Sequence, residues 1–556
     1  MTRRKFLAGA AVGSASLVAS SYMSFDTWAA TDTASEDVSV TPTLCDACGN
    51  WCAINVYTKG GRIWKATGNP IAGLNKGRIC VKGHAMLHDV YNKDRIKSPL
   101  KRVGANKFEP ISWEQAYREI GAKLKDVIAK DGPNSLFLVQ YPEGNEALTK
   151  RFMNALGSPN VFSHASTCFL PRNIGWWLTT GSAKPEQDLE NARHVLFIGR
   201  NPAAGLQLRM LVDMAKAKDK GAKYVVVDPR FSEMAAMGHQ WIQIKPGTDL
   251  ALLLALAQVM IKENLYQKDF IDKYASGFDE WASKISDYTP KWASEITTIP
   301  EKVITKLAHD MAEVAPASVI HRGYHGAMGT QYKNSLQLVR AVGCINGLLG
   351  NYNQKGGMFN APKVKLGKLG PEKYPQVPEL DMPMVDGSGD PDRYPLTPVG
   401  LGISQAIPEL ALAGKLKAGF VYHNNPLRTC PNPARMIEGY RKLDLLVSFD
   451  YVLSETASLA HYVLPESYYL ERDDVVHTNH CYTSKQVAIR QAVIKPLYDT
   501  KPMVQILVEL APHCGIGQYF NFSLDEYNRA SLAPLNITLE RLRKEGVIDL
   551  GGDWKP

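Results

Sequence analysis

The sequence predicts an α/β fold, with two Rossmann-like, doubly wound domains of helix-covered parallel sheet behind a small cysteine-rich N-terminal domain. Three observations carry that expectation. Apolar runs of strand length alternate with helical stretches over most of the 556 residues. The alternation comes in two separate rounds. Four of the nine cysteines gather ahead of the first round, within residues 45–80.

The front of the chain reads as an address. Arg3-Arg4-Lys5 stand before an apolar stretch, Phe6–Ala19, which Gly9, Gly13 and Ser14 dilute. Thr27-Trp28-Ala29 then offers small residues at both positions a signal peptidase reads. Residues 1–29 are expected to be a twin-arginine signal, a route that carries proteins already folded. No stretch supplies the ~20 continuous apolar residues of a spanning helix, and mean hydropathy is −0.21. The expected location is therefore the periplasm, with no direct membrane span. An apolar content of 45% and a charged content of 21% exclude disordered and coiled-coil classes. The net charge of +9 is spread without basic runs, so no nucleic-acid partner is expected.

Cys45-x2-Cys48-x3-Cys52 and a distant Cys80 follow. Three thiols within eight residues cannot easily staple distant segments, which weakens a disulfide reading even for an exported chain. Zinc takes its ligands more often as two close pairs. A cubane [4Fe–4S] cluster suits the pattern better, because each thiolate binds a different corner iron and a short loop wraps three of them.

Beyond the cysteines, Ser112-Trp113-Glu114-Gln115 has the form of a capping box, and Ala116, Ile120, Leu124 and Val127 keep one helical face apolar. Asp131-Gly132-Pro133 stops that helix, and Leu136–Val139 reads as a buried strand. The first round continues with strand His194–Ile198, a helix around Leu206–Lys218, strand Tyr224–Val227 and a helix from Thr248-Asp249. The run Leu250–Ile261 is too short to span a bilayer and is expected to be a buried helix. The second round has strand Ala418–Tyr422, a helix near Ala434–Arg441 and strand Leu445–Phe449. Between the rounds, residues 351–400 hold eight prolines and seven glycines, which marks an irregular excursion.

Ligands of open α/β sheets lie beyond the carboxyl ends of the strands. Three such ends carry Gly199-Arg200-Asn201-Pro202, Asp228-Pro229-Arg230 and Lys245-Pro246-Gly247-Thr248-Asp249. A glycine there lets a phosphate approach the backbone, helix N–H groups receive the anion, and an acidic residue suits a ribose or guanine edge. The set returns as Asn424-Asn425-Pro426 and Asp450, with Glu455-Thr456 beyond. No GxGxxG is present, which argues against an ordinary nicotinamide site.

Together these residues resemble the DMSO reductase family of molybdenum or tungsten bis-(molybdopterin guanine dinucleotide) oxidoreductases. The likeness also takes in Asn346-Gly347-Leu348-Leu349-Gly350 and Val463-Leu464-Pro465. It implies that Cys45, Cys48, Cys52 and Cys80 hold a [4Fe–4S] cluster and that Lys82 lies between cluster and pterin. It implies that Gly199, Asn201, Asp228, Arg230, Gly247, Asp249, Asn425 and Asp450 line the dinucleotide sites. The metal position falls to Cys168, in Ser163-His164-Ala165-Ser166-Thr167-Cys168-Phe169-Leu170, a soft ligand for a metal already bound by pterin sulfurs. His164 is a candidate proton donor, and Arg322, in His321-Arg322-Gly323-Tyr324-His325, a candidate holder of an anionic substrate; a core or capping role fits both as well. The implied domains are 40–100 for the cluster, 101–160 with 360–515 and 161–359 for the dinucleotide halves, and 516–556 as the truncated start of a C-terminal region. The family's usual C-terminal β-barrel domain is thus expected to be missing. Gly238-His239 and His461 stand where an acidic residue is usual.

Formate dehydrogenases of the family place His directly after the metal ligand, where Phe169 stands. Respiratory arsenate reductases follow their His with Lys, where Ala165 stands. The layout looks most like thiosulfate and polysulfide reductase catalytic subunits. That implies reduction of a small anionic sulfur substrate to sulfide, with electrons from quinol. The implied partners are a ferredoxin-like iron–sulfur subunit and a membrane quinol-oxidising subunit that attaches the enzyme to the inner membrane. The alternatives are a tetrathionate or arsenate reductase, or a non-catalytic electron-transfer or scaffold subunit.

Overall fold

A computed structural model describes residues 37–555 apart from 106, 142–143, 205–207, 324–327, 397–400, 480–482 and 553. The expected export signal, Tyr324, His325 and Cys481 lie outside the described residues.

A three-stranded antiparallel sheet opens the described chain, with Val38–Leu44, Ala53–Lys59 and Arg62–Gly68 in that order. Its hairpin pairs Leu44 with Ala53, so the eight residues 45–52 form the connection. The helix Val81–Asp89 follows the sheet.

The larger of the two helix-covered sheets has eight strands. Their spatial order is Gly402–Ile403, Val161–Ser163, Leu136–Gln140, Ala418–Tyr422, Leu445–Asp450, Tyr462–Pro465, Leu100–Gly104 and Lys107–Pro110. The first six run parallel, and the last two add an antiparallel edge. Every residue of Leu136–Gln140 and Ala418–Tyr422 is buried, as strands covered on both faces require. On one face lies the helix Trp113–Asp131. The Ser112 hydroxyl accepts the Gln115 N–H at 3.1 Å to start it, and Gly132 ends it at φ +78°. Ala116, Ile120 and Leu124 are fully buried on its inner face.

The smaller sheet is wholly parallel, in the order Gln240–Ile242, Lys223–Val227, His194–Ile198 and Ser318–Ile320. The helix Asp249–Lys262 packs into its core, with Leu252, Leu253 and Leu256 fully buried, as the apolar run predicts. Among the described residues no helix is long and apolar enough to cross a membrane. Within residues 351–400 the described regular structure is only Met358–Phe359, which pairs with Glu186–Gln187.

The two sheets repeat one construction in detail. In the smaller sheet, His239 N–H donates to the Tyr224 carbonyl at 2.8 Å, while Tyr224 N–H donates to His239 Nδ1 at 3.1 Å. In the larger sheet, His461 N–H donates to the Leu446 carbonyl at 2.8 Å, and Leu446 N–H donates to His461 Nδ1 at 2.9 Å. Each histidine thus clasps the second residue of a parallel strand and launches the next strand. That explains the imidazoles at 239 and 461, since a ring nitrogen accepts a backbone N–H as a carboxylate would.

Residues 524–549 fold back onto the front of the molecule. Helices Leu524–Leu532 and Leu539–Glu545 lead into strand Val547–Asp549, which pairs with Gln486–Ile489 beside Val476–Asn479. Asn69 Nδ2 donates to the Glu545 carbonyl at 3.2 Å, and Val547 packs with Leu44, Ala53 and Ala72 of the first sheet.

Candidate cofactor and active site

The connection of the first hairpin brings three thiols together. Cys45 N–H donates to the Cys52 carbonyl at 2.9 Å, and Cys48 sits in the turn between them. Cys80 is the N-cap residue of the helix Val81–Asp89, and Lys82 is the second residue of that helix. All four cysteines line one small pocket with Ala47, Asn50, Trp51, Ile79, Gly83 and Leu208. Gly83 keeps it open, because a Cβ there would lie 2.6 Å from Ile79 Cγ1 and 3.6 Å from Cys45 Sγ. None of the eight described cysteines forms a disulfide. No three His, Cys, Asp or Glu side chains among the described residues converge as they would around one ion. Four thiols around one pocket, three from a tight turn and one from a helix start, fit a cube held at its corners.

Burial pushes the Cys45 thiol up to about 11. It raises Cys52 further, with Cys45, Cys48 and Cys80 adding to the effect. Burial favours the thiols over the thiolates, and a bound iron would supply the positive charge that reverses this. The side chain of Asp46, beside Cys45, is shielded from solvent and ion-paired with Arg472 at 3.5 Å and Arg490 at 3.1 Å. The same guanidiniums hold Asp474 at 3.4 and 2.8 Å, which ties the hairpin connection to the larger sheet's periphery.

Cys168 ends the short turn His164–Thr167 and stands two residues before the helix Leu170–Thr180. It is 6% exposed, and its N–H donates to the Ala165 carbonyl at 3.1 Å. Burial pushes its thiol up to about 11, and Arg172, one turn along, pulls the other way. His164 Nδ1 lies 3.1 Å from the Thr167 hydroxyl, and burial lowers its pKa, which favours the neutral ring. Its ring packs 5.6 Å from that of Tyr141, itself 6.1 Å from His423.

Arg322 is buried and pairs with Glu186 at 2.9 Å. Its carbonyl accepts the Trp176 indole N–H at 3.0 Å, which pins Arg322 to the helix that follows Cys168. The structure therefore brings Cys168, Arg172 and Arg322 to one region, while His164 packs on Tyr141.

The expected dinucleotide loops sit at the carboxyl ends of the parallel strands. Gly199 turns at φ +53° directly after His194–Ile198. Asn201 Nδ2 donates to Glu233 at 2.6 Å, and its carbonyl oxygen accepts the Met234 N–H at 3.1 Å. Asp228 accepts the Arg230 N–H at 2.9 Å, and the Arg230 side chain is exposed 4.0 Å from Glu233. Gly247 turns at φ +80° before the helix that opens at Asp249. Asp249 is buried, which raises its pKa, and the nearby Asp228 raises it further.

The second set matches the first. Asn425 Nδ2 donates to Glu455 at 2.7 Å, and its oxygen accepts the Thr456 N–H at 3.2 Å. Asp450 accepts from Tyr451 N–H at 2.9 Å and from the Ser454 hydroxyl at 2.7 Å. Burial raises its pKa, and those donors oppose the rise. Glu233 was not singled out by sequence reasoning. Its signal was the interval: Glu233 follows Asp228 by five residues, as Glu455 follows Asp450. Arg172, Lys184 and Glu186 were also passed over, having no motif of their own.

Residues 95–513 match the molybdopterin oxidoreductase family, and residues 38–92 match its Fe4S4 domain. The thiosulfate reductase molybdopterin-containing subunit of Salmonella typhimurium is 32% identical over 531 residues, 92% of this chain and 69% of that one. The arsenate respiratory reductase molybdopterin-containing subunit of a Shewanella species is 30% identical over 506 residues, 83% of this chain and 59% of that one. A dimethyl sulfoxide reductase of Haemophilus influenzae is 29% identical over 577 residues, 90% of this chain and 69% of that one. Among solved structures, acetylene hydratase from Pelobacter acetylenicus superposes with a TM-score of 0.77 at 27% identity, covering 92% of this chain and 74% of the other. The chain thus spans about six- to seven-tenths of these curated relatives. With the cysteine pocket and the doubled strand-end loops in place, the chain belongs to the molybdopterin oxidoreductase family, whose cofactors are a [4Fe–4S] cluster and molybdenum bis-(molybdopterin guanine dinucleotide).

Proposed function

We propose that this chain is the catalytic subunit of a periplasmic thiosulfate or polysulfide reductase. The observation that carries the reading is a buried thiol, Cys168, next to buried guanidiniums, in a chain 32% identical to a thiosulfate reductase subunit. In the proposal, Cys45, Cys48, Cys52 and Cys80 hold the cluster, with Lys82 between it and the pterin. Gly199, Asn201, Asp228, Arg230, Gly247, Asp249, Asn425 and Asp450 seat the two dinucleotides, and Cys168 is the protein ligand of the metal. When bound, the molybdenum cofactor supplies two-electron exchange with the substrate.

The chain's own residues handle charge and protons. Cleaving the S–S bond of thiosulfate takes two electrons and one proton and releases hydrosulfide and sulfite. Arg322 attracts the anion. His164 relays a proton from solvent to the departing sulfur: burial lowers its pKa and favours the neutral ring at rest, so the ring takes up the proton only to pass it on. Electrons arrive from quinol through an iron–sulfur subunit and a membrane subunit, which hold the enzyme at the inner membrane. Assay of purified holoenzyme on thiosulfate, polysulfide, tetrathionate, arsenate, nitrate and formate tests this. Turnover of thiosulfate or polysulfide is expected; turnover of only arsenate, nitrate or formate overturns it. Metal analysis separates enzyme from scaffold, with about one molybdenum beside four irons expected.

A further inference from the structure

The loop between the helix Leu170–Thr180 and the strand Glu186–Gln187 carries charges that no motif marked. It folds back over Phe169, the neighbour of Cys168. The Lys184 ammonium lies 5.7 Å from the centre of that ring, and the Arg172 guanidinium lies 5.4 Å from it. Two cations therefore flank one aromatic side chain beside the buried thiol, within the range where a ring face attracts a cation. Lys184 reaches solvent. Burial lowers its pKa, and the neighbouring charges of Arg172 and Arg322 lower it further.

Glu186 is the carboxylate at the centre of this group. It meets Arg322 from the end of strand Ser318–Ile320, Arg172 from the helix Leu170–Thr180, Lys184 from its own loop and Arg209 from the helix Leu208–Asp219. The strand Met358–Phe359 paired with it adds no charge. Arg209 is balanced by Asp213 at 3.0 Å, and Glu146 faces Lys184. Burial nevertheless lifts Glu186 to about 7. Among the described residues this basin of charge sets four cations, Arg172, Lys184, Arg209 and Arg322, against three carboxylates, Glu146, Glu186 and Asp213.

We infer that Arg172, Lys184 and Arg322 seat the anionic end of the substrate beside Cys168, and that Glu186 is the internal counter-ion that holds Arg322 until the anion takes its place. This deepens the proposed function and rests on its premise of a small anionic substrate. A carboxylate displaced from Arg322 loses the largest of the opposite charges that hold its pKa down and gains an anion beside it, so it takes up a proton more readily. Anion binding is therefore coupled to protonation of Glu186. Affinity is highest below the pKa of Glu186 and falls as pH rises through it, by up to about tenfold per pH unit for one proton.

The test is equilibrium binding of thiosulfate, tetrathionate, arsenate and nitrate to purified holoenzyme between pH 6 and 9, by calorimetry in two buffers of different ionisation enthalpy. Binding of the anion is expected to be accompanied by proton uptake at Glu186 above about pH 7. Glu186→Gln should remove that uptake and tighten binding at pH 8 to its level at pH 6. Lys184→Gln should weaken binding about tenfold or more, and Lys184→Arg should restore most of it. An unchanged proton uptake in Glu186→Gln, or an unchanged dissociation constant in Lys184→Gln, overturns the inference. Loss of molybdenum or guanine nucleotide from Lys184→Gln also overturns it, because these cations would then serve the cofactor. If arsenate binds in place of thiosulfate with the same variant effects, the basin stands and the sulfur reading falls. If thiosulfate is turned over while the variants bind it unchanged, the basin falls and the sulfur reading stands.

Discussion

Cys80 is half-buried at a helix start and Cys168 is buried beyond a short turn, and single substitutions separate their roles. Cys80→Ser removes one corner of the cluster pocket. The protein should lose most of its iron and the broad brown absorbance of the cluster, measured by metal analysis and visible spectroscopy. Cys168→Ala should leave the iron unchanged and lower turnover by at least about a hundredfold, read from single-turnover rates at saturating substrate. The gathering of the four thiols around one pocket was legible in the sequence, because a tight turn and one helix start encode their spacing locally. Lys184 and Glu186 were not legible. Their link to Cys168 exists only after the helix Leu170–Thr180 ends and the chain doubles back, a tertiary event that no local pattern announces.

At the level of elements, strands such as His194–Ile198 and Ala418–Tyr422 were readable to the residue. A parallel strand buried on both faces must be a continuous apolar run bounded by turn residues. The histidine clasps were not readable, since a ring accepting a backbone N–H fifteen residues away has no periodic signature. One consequence is a pH response. Burial, aided by Arg102 and Lys123, holds His461 down at about 4. The folded state therefore favours the neutral ring, whereas the unfolded chain takes up its proton near the ordinary value of about 6.5. The stabilisation is complete above that value and is lost as pH falls toward 4. Denaturation midpoints measured from pH 7 to pH 4 should fall for the wild type and fall less for His461→Gln. Gly83→Ala tests another element, the helix that closes the cluster pocket. Its new Cβ crowds Ile79, and a loss of about 1–3 kcal/mol is expected, seen as a lower melting temperature and slower retention of iron.

Across the whole molecule, widely separated stretches are locked by buried charge. Arg95 and Glu471 are fully buried and bonded at two points, 2.8 and 2.5 Å, and Arg95 also donates to the Val90 carbonyl at 2.7 Å. This joins the end of the cluster domain to the segment after the last strand of the larger sheet. Glu471→Gln should cost about 3–5 kcal/mol, because it leaves a buried guanidinium without its counter-charge. Calorimetric scans of the holoprotein should show the transition lowered, with its cooperativity retained.

The return of residues 543–549 to the first hairpin sets the order of assembly. Gln491 Nε2 reaches both the Pro42 carbonyl at 2.7 Å and the Arg543 carbonyl at 2.6 Å, and Val547 seals the apolar patch beneath Leu44 and Ala53. A nascent chain can therefore form its opening hairpin early but cannot clamp it until some five hundred residues more have left the ribosome. A ribosome stalled anywhere before residue 543 would therefore carry a cysteine loop that lacks these contacts.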